Sequence, residues 1–262
     1  MRAIIDPMTK DQESYLRFLK ADDWMSYRAV TSDQQKKMPY PALEEPVPPG
    51  ALLLELPGPE AMTVGGMPVR EAVRLRQTHR QYSHAPLSLE ELAYLCWATQ
   101  GVRQVAPSGV AILRTVPSGG CRHPFETYLA VRNVSGLTPG LYRYLSLSHQ
   151  LCLLREGDLT VEAVGASGGQ RMVASCAVLF CWTAIPYRTE WRYPLVWAKL
   201  VAQDSGHVCG QLYLACESIQ AGCCAIGAYN QRQMDALLDV DGERQFAVYA
   251  ASVGKQRLEE AG

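Results

Sequence analysis

The chain is predicted to fold as an α+β protein. Three observations carry this. Helix-period and strand-period segments follow one another irregularly, with hairpins among the strands, rather than in a regular βαβ series. Two short strand candidates, residues 141–145 and 151–154, flank a Ser146–His149 turn as a hairpin. Neither usual nucleotide cradle is present: no G-x-G-x-x-G follows a strand, and no phosphate-loop motif occurs.

Composition narrows the class. The 262 residues carry 25 basic and 26 acidic side chains for a net charge of −1, which argues against a nucleic-acid footprint. Hydrophobic residues make up 48%, enough for a sizeable core in one or two domains. No apolar run reaches the ~18 residues that span a bilayer. The start, Met1-Arg2-Ala3-Ile4-Ile5-Asp6, lacks a secretory apolar stretch, so the expectation is a cytoplasmic protein with no membrane partner. Nine cysteines without a CxxC pair read as reduced, mostly buried side chains and as no metal site.

Two zones follow. Residues 1–66 predict an N-terminal helix over about 10–20 and then an extended arm. Pro39, Pro41, Pro46, Pro48, Pro49, Pro57 and Pro59 forbid a long helix there, and Leu52–Leu56 reads as a strand. Residues 67–262 read as the main domain. Val69, Ala72, Val73 and Arg76 have helical spacing, which would bring Arg76 near the buried face. Ser88-Leu89-Glu90-Glu91 is a capping box that opens a second helix. Pro117-Ser118-Gly119-Gly120 reads as a flexible loop. Strands are expected over 128–131, 178–182, 223–226 and 246–253. A long helix is expected from Gly206 to Gln220 with Gly222 as its cap, and a shorter one from an Asn230 cap to near Leu238.

The cations stand out against this neutral background. Arg76 and Arg80 would share a helix face, while Lys255 and Arg257 would point the same way on a strand. Brought together with the Thr78 hydroxyl, they would cage one phosphate dianion. Arg122 and His123 either project into a pocket or face solvent, and His207 reads as a capping or core histidine.

These pieces, in order, resemble the nitroreductase-like flavoproteins and, within them, the SagB-type oxidoreductases. Arg76-Gln77-Thr78-His79-Arg80 is similar to an R-x-S-x-R motif with threonine for serine. Pro86–Leu92 and Trp97-Ala98-Thr99-Gln100-Gly101 are similar to P-L-S-L-E-E-L and W-A-x-Q-G. Pro117–Gly120 with Pro124 resembles P-S-A-G-x-x-x-P. Gly136–Tyr142, Asp204-Ser205-Gly206-His207 and Cys224–Tyr229 resemble G-L-x-P-G-L-Y, D-A-G-H and C-A-I-G-A-F. The resemblance runs over about residues 67–257.

It implies an FMN-binding fold with a central, mainly antiparallel sheet flanked by helices, working as a homodimer with the flavin at the interface. Carried over, Arg76, Thr78, Arg80, Lys255 and Arg257 hold the phosphate. Pro117, Ser118 and Gly119 reach the flavin from the partner subunit, Ile226 packs on the ring, and the Gly227 N–H points at N5. The branch that oxidises azolines uses a Lys-Tyr pair, where this chain has Arg192 and Tyr193. Arginine is not a general base, but it can bind a carboxylate or a nicotinamide phosphate. Trp191-Arg192-Tyr193 is otherwise a packing segment. Three functions are therefore expected to compete. One is hydride transfer between NAD(P)H and a nitroaromatic or quinone-like electrophile. Another is azoline oxidation in a modified peptide. The third is a catalytically silent binding role in a biosynthetic complex.

Overall fold

The computed structural model describes residues 9–257. Its arm begins with α1 (Lys10–Leu19) and α2 (Asp23–Tyr27), followed by β1 (Leu52–Glu55). The Thr9–Gln12 capping box starts α1, yet the helix buries none of its residues, and Tyr15 and Leu19 stay about 70% exposed. Then come α3 (Val69–Leu75), α4 (Leu89–Gln100) and the hairpin β2 (Val102–Val105) and β3 (Ile112–Arg114). Next are β4 (Phe125–Val131), β5 (Gly140–Leu145), β6 (Gln150–Glu156), α5 (Thr160–Ala166), α6 (Arg171–Ser175) and β7 (Val178–Ala184). The chain ends with α7 (Tyr187–Glu190), α8 (Trp197–Ser218), β8 (Ala221–Ile226), α9 (Gln231–Leu237) and β9 (Phe246–Lys255).

Seven strands form one sheet in the order β1-β6-β5-β4-β7-β9-β8, every pairing antiparallel. The expected α+β class with a central antiparallel sheet is what the structure has, and the Ser146–His149 turn does join β5 to β6. The arm is not separate from the sheet, because β1 is its edge strand.

Period-two alternation splits each central strand between two cores. Phe180 and Trp182 of β7, and Ala221 and Cys223 of β8, face α4 and α8. Leu179 and Cys181, with Cys224 and Ile226, belong to the core that contains the apolar sides of α5, α6 and α9. Leu92, Leu95 and Cys96 of α4 have no exposed surface, and each Leu buried this way stabilises the fold by roughly 1.5–3 kcal/mol.

The proline-rich segment lies along the sheet end, held by charge. Arg188 donates to the Ala42 carbonyl at 2.9 Å and to the Glu126 carboxylate at 2.6 Å. Arg143 donates to the carbonyls of Glu45 and Pro46, and the Glu45 N–H donates to Glu126 at 2.9 Å. Arg244 closes on the Glu45 carboxylate at 2.7 Å.

Three local expectations need correction. Arg76 is not on the buried face: α3 ends at Leu75, Arg76 is its extended C-cap, and residues 77–81 are not helical. The apolar stripe of α3 is largely bare, with Val69 73% exposed, so nothing draws Arg76 inward. The long helix begins at Trp197 rather than Gly206. Leu200, Val201, Asp204, Val208 and Leu212 make the inward stripe, while Gly206 and Gly210 merely fall on its outer face. Gly222 is a strand residue rather than a cap; the left-handed residue after this helix is Gln220, at φ 55°.

Candidate functional site

The segment that follows α3 runs over the β8 edge of the sheet. The His79 N–H donates to the Cys223 carbonyl at 3.0 Å, and the Ser83 N–H donates to the Lys255 carbonyl at 3.0 Å. Close approach requires the glycines beneath. A Cβ on Gly222 would lie 2.7 Å from the His79 Cβ, and one on Gly254 would lie 2.9 Å from the Tyr82 ring. Arg76, Thr78 and Arg80 are thus hung along one sheet edge, all exposed, beside the end of β9 that carries Lys255 and Arg257. The first cation pair is on an extended segment rather than a helix, and that segment meets the end of β9 through the Tyr82–Gln256 bridge.

Tyr213 of α8 organises the corner and was not anticipated from sequence. Its hydroxyl lies 3.3 Å from Thr78 Oγ1 and accepts the Ala225 N–H at 2.9 Å, while the Arg76 guanidinium stands 5.4 Å from its ring centroid. Burial pushes the Tyr213 phenol up, so it remains a neutral hydrogen-bonding group at ordinary pH. Arg80 reaches Cys224, whose thiol burial pushes up and Arg80 draws back down.

Lys255 is not a free cation. Its Nζ is salt-bridged to Glu91 and lies 3.4 Å from the Ile219 carbonyl. Glu91 is the capping-box carboxylate of α4 and also accepts the Ser88 N–H at 2.8 Å. Ile226 is likewise corrected, because it is 1% exposed and packed in the α9-side core, so its side chain offers no open surface for a ring. The next residue, Gly227, is exposed at the end of β8, and only Tyr249 comes near the position of an added Cβ, at 3.9 Å.

A second cluster lies at the other end of α8. Asp204, 3% exposed, accepts the Ser118 hydroxyl at 2.5 Å and the Gly119 N–H at 3.1 Å. Pro117 is exposed beside them. Burial pushes the Asp204 carboxyl up, partly offset by the bond from Ser118. Arg122 and His123 do neither thing expected of them, since both are buried. Arg122 donates to the carbonyls of Arg188 and Val110 and stands over Trp191. Burial drives His123 down to about 3. Tyr193 packs against Gly120 and is half-covered by Trp24 and Tyr27, their ring centroids 5.9 and 5.7 Å away. Arg192 stands over the Tyr193 ring, and its carbonyl accepts the Tyr27 hydroxyl at 2.8 Å. Further bonds tie the arm here: Gln34 N–H to the Trp191 carbonyl, Trp191 Nε1 to the Met38 carbonyl, and Lys199 to the carbonyls of Leu19 and Lys20.

Asp204 and Tyr213 are nine positions apart on α8, about 14 Å along its axis. Between them the outer face of the helix is bare at Gly206, His207 and Gly210, so His207 is neither a cap nor a core residue. Among the described residues no His/Cys/Asp/Glu cluster has metal-binding geometry, and no helix is long and apolar enough to cross a membrane.

This sheet, with a glycine-lined cation corner at its edge, defines a nitroreductase-type scaffold. Residues 73–255 match the model of the nitroreductase family, and the chain belongs to that family. A protein of Methanocaldococcus jannaschii named as a candidate nitroreductase is 26% identical over 181 residues, covering 69% of this chain and 87% of its own. The structure of a candidate nitroreductase from Ralstonia eutropha matches at TM-score 0.65 and 25% identity, over 85% of this chain and all of that one. A chain of the Escherichia coli microcin synthetase McbBCD complex, solved with truncated pro-MccB17, matches at TM-score 0.59 and 14% identity, over 97% of this chain and 99% of that one. The NADPH:FMN oxidoreductase of Vibrio harveyi, complexed with NAD+, matches at 0.51 and 17%, over 72% and 69%. At these lower identities the likeness is one of fold.

Proposed function

We propose that this chain is an FMN-dependent oxidoreductase that passes hydride between NAD(P)H and a small flat electrophile, nitroaromatic or quinone-like. The observation that carries the reading is the corner where Arg76, Thr78 and Arg80 meet the end of β9, exposed on a chain of the nitroreductase family. Four cations and two hydroxyls on one sheet edge suit a phosphate dianion. In this reading Arg76, Thr78, Arg80 and Arg257 hold the FMN phosphate, and Lys255 divides its donors between that phosphate and Glu91. Tyr213 keeps Thr78 and Arg76 aimed. The Gly227 N–H addresses the ring, where a backbone donor adds no titrating group. Bound FMN supplies the hydride chemistry, and the protein supplies binding, orientation and exclusion of water.

The working unit in this reading is a homodimer. The bare strip of α8 and the exposed Val69 and Val73 of α3 support it, being faces a second copy would cover. Pro117, Ser118 and Gly119 then meet the flavin held by the other copy. Arg192 and Tyr193 stand on the substrate side, Arg192 as a binder of carboxylate or nicotinamide phosphate. We place the enzyme in the cytoplasm, working without nucleic acid or membrane.

A second reading, azoline oxidation in a modified peptide, is favoured by the near full-length likeness to a chain of the microcin synthetase complex. Against it stand the arginine at position 192 and the Trp24–Tyr27 cover over Tyr193, which leaves a small substrate easier to admit than a peptide. The test is anaerobic. Purified protein is loaded with FMN and mixed with NADPH, then with a nitroaromatic or quinone. Bleaching of the flavin band followed by its return supports the first reading. A flavin untouched by NADPH but reduced by an azoline peptide would replace it with the second. Failure to bind FMN at all would leave a silent binding member.

A further inference from the structure

Asp204 is an anomaly in its helix. From Leu200 to Cys216 the inward stripe of α8 is otherwise apolar, and a carboxylate 3% exposed within it must have its oxygens satisfied. Both are, and by one loop: Oδ2 accepts from the Ser118 hydroxyl at 2.5 Å and Oδ1 from the Gly119 N–H at 3.1 Å. The relay continues, because Ser118 Oγ accepts the His123 N–H at 2.9 Å. One carboxylate thereby fixes both ends of the segment 118–123.

That segment does not hold its shape by preference. Gly120, Cys121 and His123 have φ of 63°, 55° and 45°, and two of the three carry side chains. Left-handed backbone at non-glycine residues persists only where the surroundings over-determine it. The turn also seats its neighbours. A Cβ on Gly119 would meet Leu200 at 3.0 Å, and one on Gly120 would meet the Tyr193 hydroxyl at 2.5 Å. Moving the turn therefore moves the backing of Tyr193.

We propose that Asp204 is the positioning residue of the ring end. It holds Pro117–Gly119 and the Tyr193 wall in the shape that meets the flavin, acting through Ser118 and Gly119 and touching neither flavin nor substrate. The aspartate of Asp204-Ser205-Gly206-His207 thereby acquires a task that the phosphate corner does not explain. The inference rests on the FMN reading of the preceding section.

The test uses the full chain in the FMN-free form, with Ser118→Ala, Asp204→Asn, Asp204→Ala and the Ser118→Ala/Asp204→Ala double variant. FMN affinity is read by flavin fluorescence, the bound flavin by its absorption envelope, and the turn by amide hydrogen exchange. Asp204→Ala is expected to weaken FMN about ten- to a hundredfold and Ser118→Ala about three- to tenfold, since each loses a relay bond. The double variant should be no weaker than Asp204→Ala alone, because the relay is one unit. Exchange should quicken at the Gly119 and His123 amides in every variant and stay unchanged in β4, β7 and β9. Wild-type affinity and envelope in Ser118→Ala and Asp204→Asn would overturn the proposal, as would exchange that quickens throughout the sheet. If the wild type itself binds no FMN, the cofactor reading fails, and the exchange result still decides whether Asp204 holds the turn.

Discussion

The two ends of α8 are built on opposite principles. At the Tyr213 end exposed cations are strung on an extended segment, and the stiff part is the glycine-lined sheet edge beneath them. At the Asp204 end the charged and polar groups are buried: Asp204, His123, Arg122 and, behind them, the Arg188–Glu126 pair. The difference is one of solvation. Exposed charges cost little to keep and give affinity only when a dianion arrives. Buried charges must be satisfied at all times, so they specify shape whether or not a ligand is present.

The largest expected effect falls on the buried side. Glu126→Ala takes from the Arg188 guanidinium, 1% exposed, its carboxylate at 2.6 Å and leaves it Glu45 at 3.8 Å, and should lower unfolding free energy by about 3–5 kcal/mol in urea titration. Arg76→Ala should change it by less than about 0.5 kcal/mol. Equal losses would erase the contrast. Next comes ligand affinity. Arg76→Ala with Lys255→Ala removes two charge-assisted contacts and should weaken FMN at least about a hundredfold by calorimetry. Unchanged affinity would withdraw the phosphate assignment.

The third expectation concerns acid. His123 has its ordinary value of 6.5 drawn down to about 3 by burial. In the unfolded chain it binds a proton as the pH falls below about 6.5, whereas in the folded chain it resists until about 3. The stability it contributes is therefore whole above 6.5 and is lost progressively between 6.5 and 3. Replacing it by Gln should flatten the acid limb of the stability curve by up to about 1.4 kcal/mol per pH unit in that window. Superimposable slopes would detach this histidine from the acid response. The smallest effect is at Tyr213→Phe, which keeps the ring under Arg76 but loses the hydroxyl between Thr78 and the Ala225 N–H. FMN binding should weaken about three- to tenfold, with little change in melting temperature. A hundredfold loss would make Tyr213 a direct ligand rather than a support.

Much of the frame was legible. The Ser88 capping box, the hairpin at Ser146–His149 and the strand over Val178–Trp182 depend on neighbours a few residues away, and the structure has all three. The start of α8 was misjudged because Gly206 looks like punctuation until the stripe from Leu200 to Leu212 is seen against a core. Arg76 was misplaced because helical spacing says nothing about where α3 stops. Arg122 and His123 were ambiguous because burial of a polar residue depends on partners that local sequence does not name.

By itself, then, the sequence determined the fold class, the family and the chemical inventory of the cation corner, because periodicity, caps and ordered motifs are short-range. Tertiary structure alone decided which charges are free and which are spoken for. Lys255 meets Glu91 across 164 positions, Thr78 meets Tyr213 across 135, and Ser118 meets Asp204 across 86. Pairings at such separations are chosen by how the sheet and α8 pack, since only packing brings those groups within hydrogen-bonding reach and removes the water that would otherwise satisfy them.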